Sequence, residues 1–124
     1  MIADDDADDI DIFLSAAKEE CPEMKVTVAW NGQELLDILH QSPKPDAIIL
    51  DMNMPLKNGY ECLREIRQKD KYNDIPVMMF STSNKKTDVE KCLSTGANHY
   101  VVKPDNYNDF RNIAKKICTG AFPE

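Results

Sequence analysis

Five carboxylates fall within six positions near the start of the chain: Asp4, Asp5, Asp6, Asp8 and Asp9, just behind the apolar stub Met1, Ile2 and Ala3. A further aspartate, Asp51, directly follows the apolar run AIIL (47–50). Ser81 follows VMMF (77–80), and Lys103 follows YVV (100–102), with Pro104 next. Carboxylates held a few ångströms apart repel, which raises their pKa values or demands a cation. Three acidic oxygen donors with a backbone carbonyl and water suit a hard octahedral ion, and Mg²⁺ is the natural choice. Such an ion would neutralise an incoming phosphoryl group as well as the acids. Asp51 could then act as a nucleophile, because carboxylates form acyl phosphates once phosphoryl charge is screened. Lys103 and Ser81 would hold the remaining phosphoryl oxygens.

That chemistry needs the scattered residues at one place, and the pattern of elements supplies the place. Ile10, Phe13, Leu14 and Ala17 follow helical spacing, as do Phe110, Ile113, Ala114 and Ile117. Leu35, Leu36 and Leu39 mark a helix opened by Asn31-Gly32, and Tyr60, Leu63 and Ile66 mark another beginning after Gly59. A weaker pattern, Val89, Cys92 and Leu93, ends at the capping residue Gly96. The runs AIIL and VMMF are continuously apolar, as befits parallel strands covered on both faces. KVTVAW (25–30) alternates and suits an edge strand. Five strands alternating with five helices predict an α/β, doubly wound parallel sheet with right-handed crossovers. Ligands of such sheets bind beyond the carboxyl ends of the strands, which is where Asp4, Asp5, Asp51, Ser81 and Lys103 fall.

Each residue alone has a plainer reading. An aspartate ahead of a helix caps it or complements its dipole, and Asp6, Asp8 and Asp9 are assigned to that role. Ser81 alone is a strand end, and Lys103-Pro104 alone is a turn. The plain reading gives no reason for the strand ends to be polar in this complementary way.

Composition narrows the rest. A chain of 124 residues suggests one domain, and 42% apolar with 30% charged residues is ordinary for a soluble globular protein. A net charge of −7 with no block of Lys and Arg argues against nucleic-acid and anionic membrane partners. No apolar run approaches membrane-spanning length. Cys21, Cys62, Cys92 and Cys118 form no CxxC pair, and no signal peptide precedes them. They read as free, packed thiols in a reducing compartment, the cytoplasm. His40 and His99 share no metal-ligand spacing with each other or with a cysteine.

The stretches IADDD (2–6), IILDMNMPLKNG (48–59), VMMFSTS (77–83) and GANHYVVKP (96–104), in this order and spacing, resemble the receiver domain of bacterial two-component response regulators. The resemblance spans essentially the whole chain. It implies a CheY-like, flavodoxin-like sheet of strand order 2-1-3-4-5. It implies that Asp51 is the phosphoacceptor. Asp5, Asp51 and the backbone carbonyl of Asn53 would then bind Mg²⁺ directly, and Asp4 would act mainly through water. Ser81 matches the switch hydroxyl, Tyr100 the switch aromatic and Lys103 the phosphate-binding lysine, whose bond to Pro104 is expected to be cis. Asn53 and Ser83 match positions that tune the phosphoryl lifetime. Two departures stand out: the first strand is short, and residues 1–124 are expected to form a receiver with no output domain.

A stand-alone receiver is therefore expected. It would take its phosphoryl group from a sensor histidine kinase or phosphotransfer protein. A downstream protein would read the face made by the fourth helix, fifth strand and fifth helix. The domain would be a monomer, or a weak dimer on phosphorylation, and not a turnover enzyme. Phosphatases of the haloacid dehalogenase type also use a nucleophilic aspartate, but need a second one two residues later, where this chain has Asn53. A phosphorylation-independent binding module usually lacks the acceptor, the metal acids or the lysine, and all are present. A receiver cut from a larger hybrid kinase or regulator keeps the same chemistry.

Overall fold

A computed structural model describes residues 1–120. Its elements alternate as β1 (Ile2–Ala3), α1 (Ala7–Glu20), β2 (Val28–Ala29), α2 (Gly32–Gln41), β3 (Ile48–Asp51), α3 (Gly59–Arg67), β4 (Val77–Ser81), α4 (Lys86–Thr95), β5 (His99–Val102) and α5 (Tyr107–Thr119), with a short 3₁₀ turn at Asp70–Tyr72. The five strands are parallel in the order β2-β1-β3-β4-β5. This is the flavodoxin-like order the resemblance implies. Residues 121–124, the end of the expected domain, lie outside the described residues.

The apolar runs behave as doubly covered strands must. Side chains alternate across a strand, so Ile48 and Leu50 of β3 and Val77 and Met79 of β4 join Leu35, Leu39, Leu63 and Ile66 of α2 and α3 in one core. Ile49, Met78 and Phe80 point the other way, onto Phe13, Ala16 and Ala17 of α1 and Phe110, Ile113 and Ala114 of α5. One sheet thus separates two cores, and the strand ends carry polar residues at the rim of both.

β1 is as short as its sequence suggests, and its neighbours compensate. The Ile2 amide donates to Thr27 O at 2.9 Å, the Ile49 amide to Met1 O at 2.9 Å, and the Met1 ammonium to Ala47 O at 3.0 Å. Burial lowers the pKa of that ammonium. KVTVAW supplies only Val28 and Ala29 to the ladder, because β1 offers just Ile2 and Ala3 as partners. Asp6 is the N-cap of α1 and accepts from the Asp8 and Asp9 amides, as expected. Asn58 closes a capping box with Glu61 at α3, and Gly96 ends α4 with φ 121°.

The cysteines require a correction. Cys62 and Cys92 are free and buried, but Cys21 and Cys118 form a disulfide with Cα atoms 6.1 Å apart. The separation of 97 residues hides the pairing in sequence. α1 and α5 lie side by side on the same face of the sheet, so the C-cap of one meets the last turn of the other. The pair also speaks against reading all four thiols as signs of a reducing compartment.

Two outcomes follow. Closing so long a loop is worth on the order of 4 kcal/mol through the unfolded chain. Reduction, or Cys21→Ser, should lower the thermal midpoint by roughly 10 °C in calorimetry, with the fold retained by circular dichroism. Leu56, 77% exposed, holds φ at 68°, where a branched side chain is strained. Leu56→Asn should raise stability by roughly 0.5–1 kcal/mol in urea unfolding, because it relieves strain and removes no packing.

Candidate functional site

The carboxyl ends of β1, β3, β4 and β5 bring the expected residues to one edge of the sheet. Asp4 leaves β1 with its amide on Ala29 O at 3.1 Å, which points the buried carboxylate across the edge. One oxygen of Asp4 accepts from the Asp6 amide at 2.9 Å. Asp51 closes β3 and is buried, whereas Asp5 is exposed at the mouth. Carboxylate oxygens of Asp4, Asp5 and Asp51 lie within 4.8 Å of one another. Hard, anionic oxygens at that spacing fit a divalent cation such as Mg²⁺. The Asn53 backbone amide donates to Asp51, and its side chain is exposed beside the site.

The loop that carries Asn53 is held by a close approach. The Gly59 amide donates to Met52 O at 3.0 Å. A Cβ on Gly59 would sit 2.2 Å from the Asp51 carbonyl oxygen, so only glycine lets α3 begin directly beneath the site.

Lys103 reaches the same edge from the end of β5. Its amide donates to Ser81 O at 2.7 Å, tying it to β4. Its ammonium lies 2.9 Å from Asp4, 2.8 Å from Asp9 and 3.6 Å from Asp51, and the side chain is only 7% exposed. Burial by itself would lower its pKa, but the hydrogen bonds to Asp9 and Asp4 and the charge of Asp51 together raise it above the ordinary lysine value. The cation is therefore permanent at physiological pH.

Two expectations change here. Among the described residues no peptide bond is cis, so the bond before Pro104 is trans. Trans is the intrinsically favoured isomer, and the bonds from Asp4 and Asp9 aim the ammonium without the expected turn. Asp9 is also more than a helix-dipole residue. Its carboxylate crosses 94 positions of sequence to Lys103, a contact that helical position alone does not reveal.

Ser81 is fully buried, and its Oγ accepts from the Ser83 amide at 3.1 Å. Ser83 joins several parts at once. Its carbonyl accepts from the Tyr100 hydroxyl at 2.8 Å, and its own hydroxyl donates to Asp88 at 2.8 Å on the first turn of α4. Tyr100 is half-buried against the α2–α3 core. It is thus fastened through Ser83 to Ser81 on one side and to α4 on the other. A cleft of about 1110 Å³ opens instead at the amino ends of the strands, around Met1, Lys25, Pro43, Ala47 and Pro76. It contains none of these site residues.

Burial first, and the Asp4 charge second, push the Asp51 carboxyl up to about 7, against the pull of Lys103. An acid with a raised pKa in the folded state favours folding only while it is protonated there. In metal-free protein, Asp51 should therefore cost increasing stability as pH rises from about 4, where the unfolded chain ionises, to about 7. Asp51→Asn should match the parent near pH 4 and exceed it by on the order of 3 kcal/mol above pH 7 in chelator. Unfolding curves of the pair across that range check this. Excess Mg²⁺ should narrow the gap by stabilising the parent alone.

The profile of the response regulator receiver domain family matches residues 1–115. A two-component response regulator of rice, ORR11 (Oryza sativa subsp. indica), is 30% identical over 117 residues, covering 94% of this chain and 79% of the relative. A chemotaxis protein CheY homolog of Campylobacter jejuni is 38% identical over 79 residues, covering 64% of this chain and 61% of the relative. The phosphorylated cyanobacterial phytochrome response regulator RcpA superposes with a TM-score of 0.86 at 30% identity, covering 94% of this chain and 87% of RcpA. The Mn²⁺-bound form of response regulator Rcp1 superposes with a TM-score of 0.84 at 28% identity, covering 94% and 88%. These relatives come from plants as well as bacteria, so the resemblance does not itself mark the chain as bacterial. With the profile spanning nearly every described residue, the chain belongs to the response regulator receiver domain family.

Proposed function

We propose that Asp51 is the phosphoacceptor of a two-component signalling step. The observation that carries this reading is a buried carboxylate with two further acids within 4.8 Å and a buried ammonium 3.6 Å away. Mg²⁺, held by Asp4, Asp5, Asp51 and the Asn53 carbonyl, would screen the charge of the incoming phosphoryl group.

The residues divide the remaining work. An Asp51 carboxylate oxygen attacks the phosphorus of a phosphohistidine on a sensor kinase or phosphotransfer protein, and the imidazole leaves. Lys103 and the Ser81 hydroxyl take the phosphoryl oxygens. If the Ser81 hydroxyl turns towards the phosphoryl group, it gives up the Ser83 amide, and Tyr100 loses the fixed carbonyl that anchors its hydroxyl. The switch then passes to α4, β5 and α5, where Leu93, Val102 and Tyr107 are exposed apolar residues for a downstream protein to read. Water attack on the acyl phosphate resets the domain. Asn53 stands where a phosphatase of the dehalogenase type would need its acid, which favours a switch over a turnover enzyme.

A cytoplasmic site belongs to this reading, because phosphohistidine donors are charged from ATP. No helix among the described residues is long and apolar enough to cross a membrane. The domain is a monomer, or pairs weakly when phosphorylated.

The test is the intact mass after incubation with acetyl phosphate, with and without Mg²⁺, beside Asp51→Asn. A single phosphoryl adduct that needs both Mg²⁺ and Asp51 is the expected result. Absence of the adduct, with no beryllofluoride complex either, would leave a phosphorylation-independent binding module.

A further inference from the structure

Lys103 makes its two short contacts with acids other than the proposed phosphoacceptor. Asp9 lies at 2.8 Å and Asp4 at 2.9 Å, while Asp51 is 3.6 Å away. Asp4 belongs to the carboxylate group that fits a divalent cation, so its charge is shared with the metal. Asp9 is outside that group. Its carboxylate is not needed to cap α1 either, because Asp6 accepts from the Asp8 and Asp9 amides. The Asp9 side chain is 24% exposed, whereas Lys103 and Asp51 are 7% and 6% exposed, so Asp9 is the solvent-side partner of a buried ammonium.

We propose that Asp9 is a positioning residue that acts through Lys103, tethering the ammonium to α1 and partly neutralising it, and so limits how tightly the site holds a phosphoryl group. The inference rests on the phosphoacceptor reading of Asp51. Its basis is a count of charges. Asp4, Asp5, Asp9 and Asp51 stand against one ammonium, and a divalent cation still leaves the site one negative charge in excess. Removing the Asp9 charge brings that sum to zero before the anion arrives. An ammonium has three protons to donate, and two of them are already given to Asp9 and Asp4. Loss of the Asp9 charge loosens its hold, so that a second proton besides the uncommitted one can turn to phosphoryl oxygens.

The consequence differs between the two ligands. Asp9→Asn should tighten anion binding and weaken, or leave unchanged, the binding of Mg²⁺ alone. A residue that only braced α1 against the loop after β5 would weaken both when removed, because both need an ordered site.

Calorimetric titration of beryllofluoride at saturating Mg²⁺, and of Mg²⁺ alone, tests this on the full chain. Asp9→Asn should bind beryllofluoride roughly three- to tenfold more tightly than the parent, the effect of one unit charge several ångströms away at partial burial. The phosphoryl adduct from acetyl phosphate should persist longer by a similar factor. Asp9→Glu restores the charge and should fall within about twofold of the parent on both readouts. Asp9→Ser replaces the Asn variant if that one does not fold. Equal or weaker beryllofluoride binding by the charge-removing variant overturns the inference and leaves the function of Asp51 standing. Failure of the parent itself to bind beryllofluoride overturns the phosphoacceptor reading, and this inference with it.

Discussion

The balance of charge around the Lys103 ammonium sets the terms for the rest of the molecule. A buried cation is tolerated only where anions surround it, and Asp4, Asp9 and Asp51 do so from three different elements. The same ammonium makes it possible to bury Asp4 and Asp51 side by side. Even so the balance is incomplete, because burial and the Asp4 charge keep Asp51 close to neutral pH. An acid in that condition is short of positive charge. A divalent cation among Asp4, Asp5 and Asp51 would relieve that shortage, because their oxygens lie close enough together to share one.

Holding these groups in place falls to ordinary packing. The sheet is apolar on both faces, so its strands have one register in which every Ile, Met and Phe is covered. That register carries Asp51 and Ser81 to the same rim. Gly59 lets α3 begin against the Asp51 backbone, and the ladder around Met1 secures β1 despite its length. The polar site is therefore positioned by residues that take no part in its chemistry.

Much of this was legible in the chain itself. Continuous apolar runs marked β3 and β4, helical spacing marked α1 and α5, and the rule that ligands gather at carboxyl ends collected Asp4, Asp5, Asp51, Ser81 and Lys103 before any coordinates. What escaped was contact between residues far apart in sequence. Asp9 reads as a first-turn acid because its helix is visible and its partner, 94 residues on, is not. Cys21 and Cys118 read as separate thiols for the same reason. Side-chain periodicity reports the face a residue occupies, not which element will lie against that face. The trans bond before Pro104 belongs with these: the dipeptide favours trans only slightly, and the surrounding fold decides the isomer.

The helix α1 is secured along its whole length to the chain around α5. Asp9 binds Lys103 at one end, Glu19 and Glu20 meet Arg111 near the other, and the Cys21–Cys118 bond closes the far tip. Among the described residues α4 has fewer ties, chiefly the Ser83 hydroxyl donated to Asp88 at 2.8 Å. Its N-cap, Lys85, makes no side-chain hydrogen bond, and Cys92 is its one fully buried residue. The two flanks are thus tied unequally: α1 is fastened at three points, one of them covalent, whereas α4 is held by the Ser83 hydroxyl on Asp88 and by its buried Cys92. A shift of Ser83 at the sheet edge would therefore reach Asp88 directly, on the flank with fewer ties, while α1 stays clamped to the chain around α5.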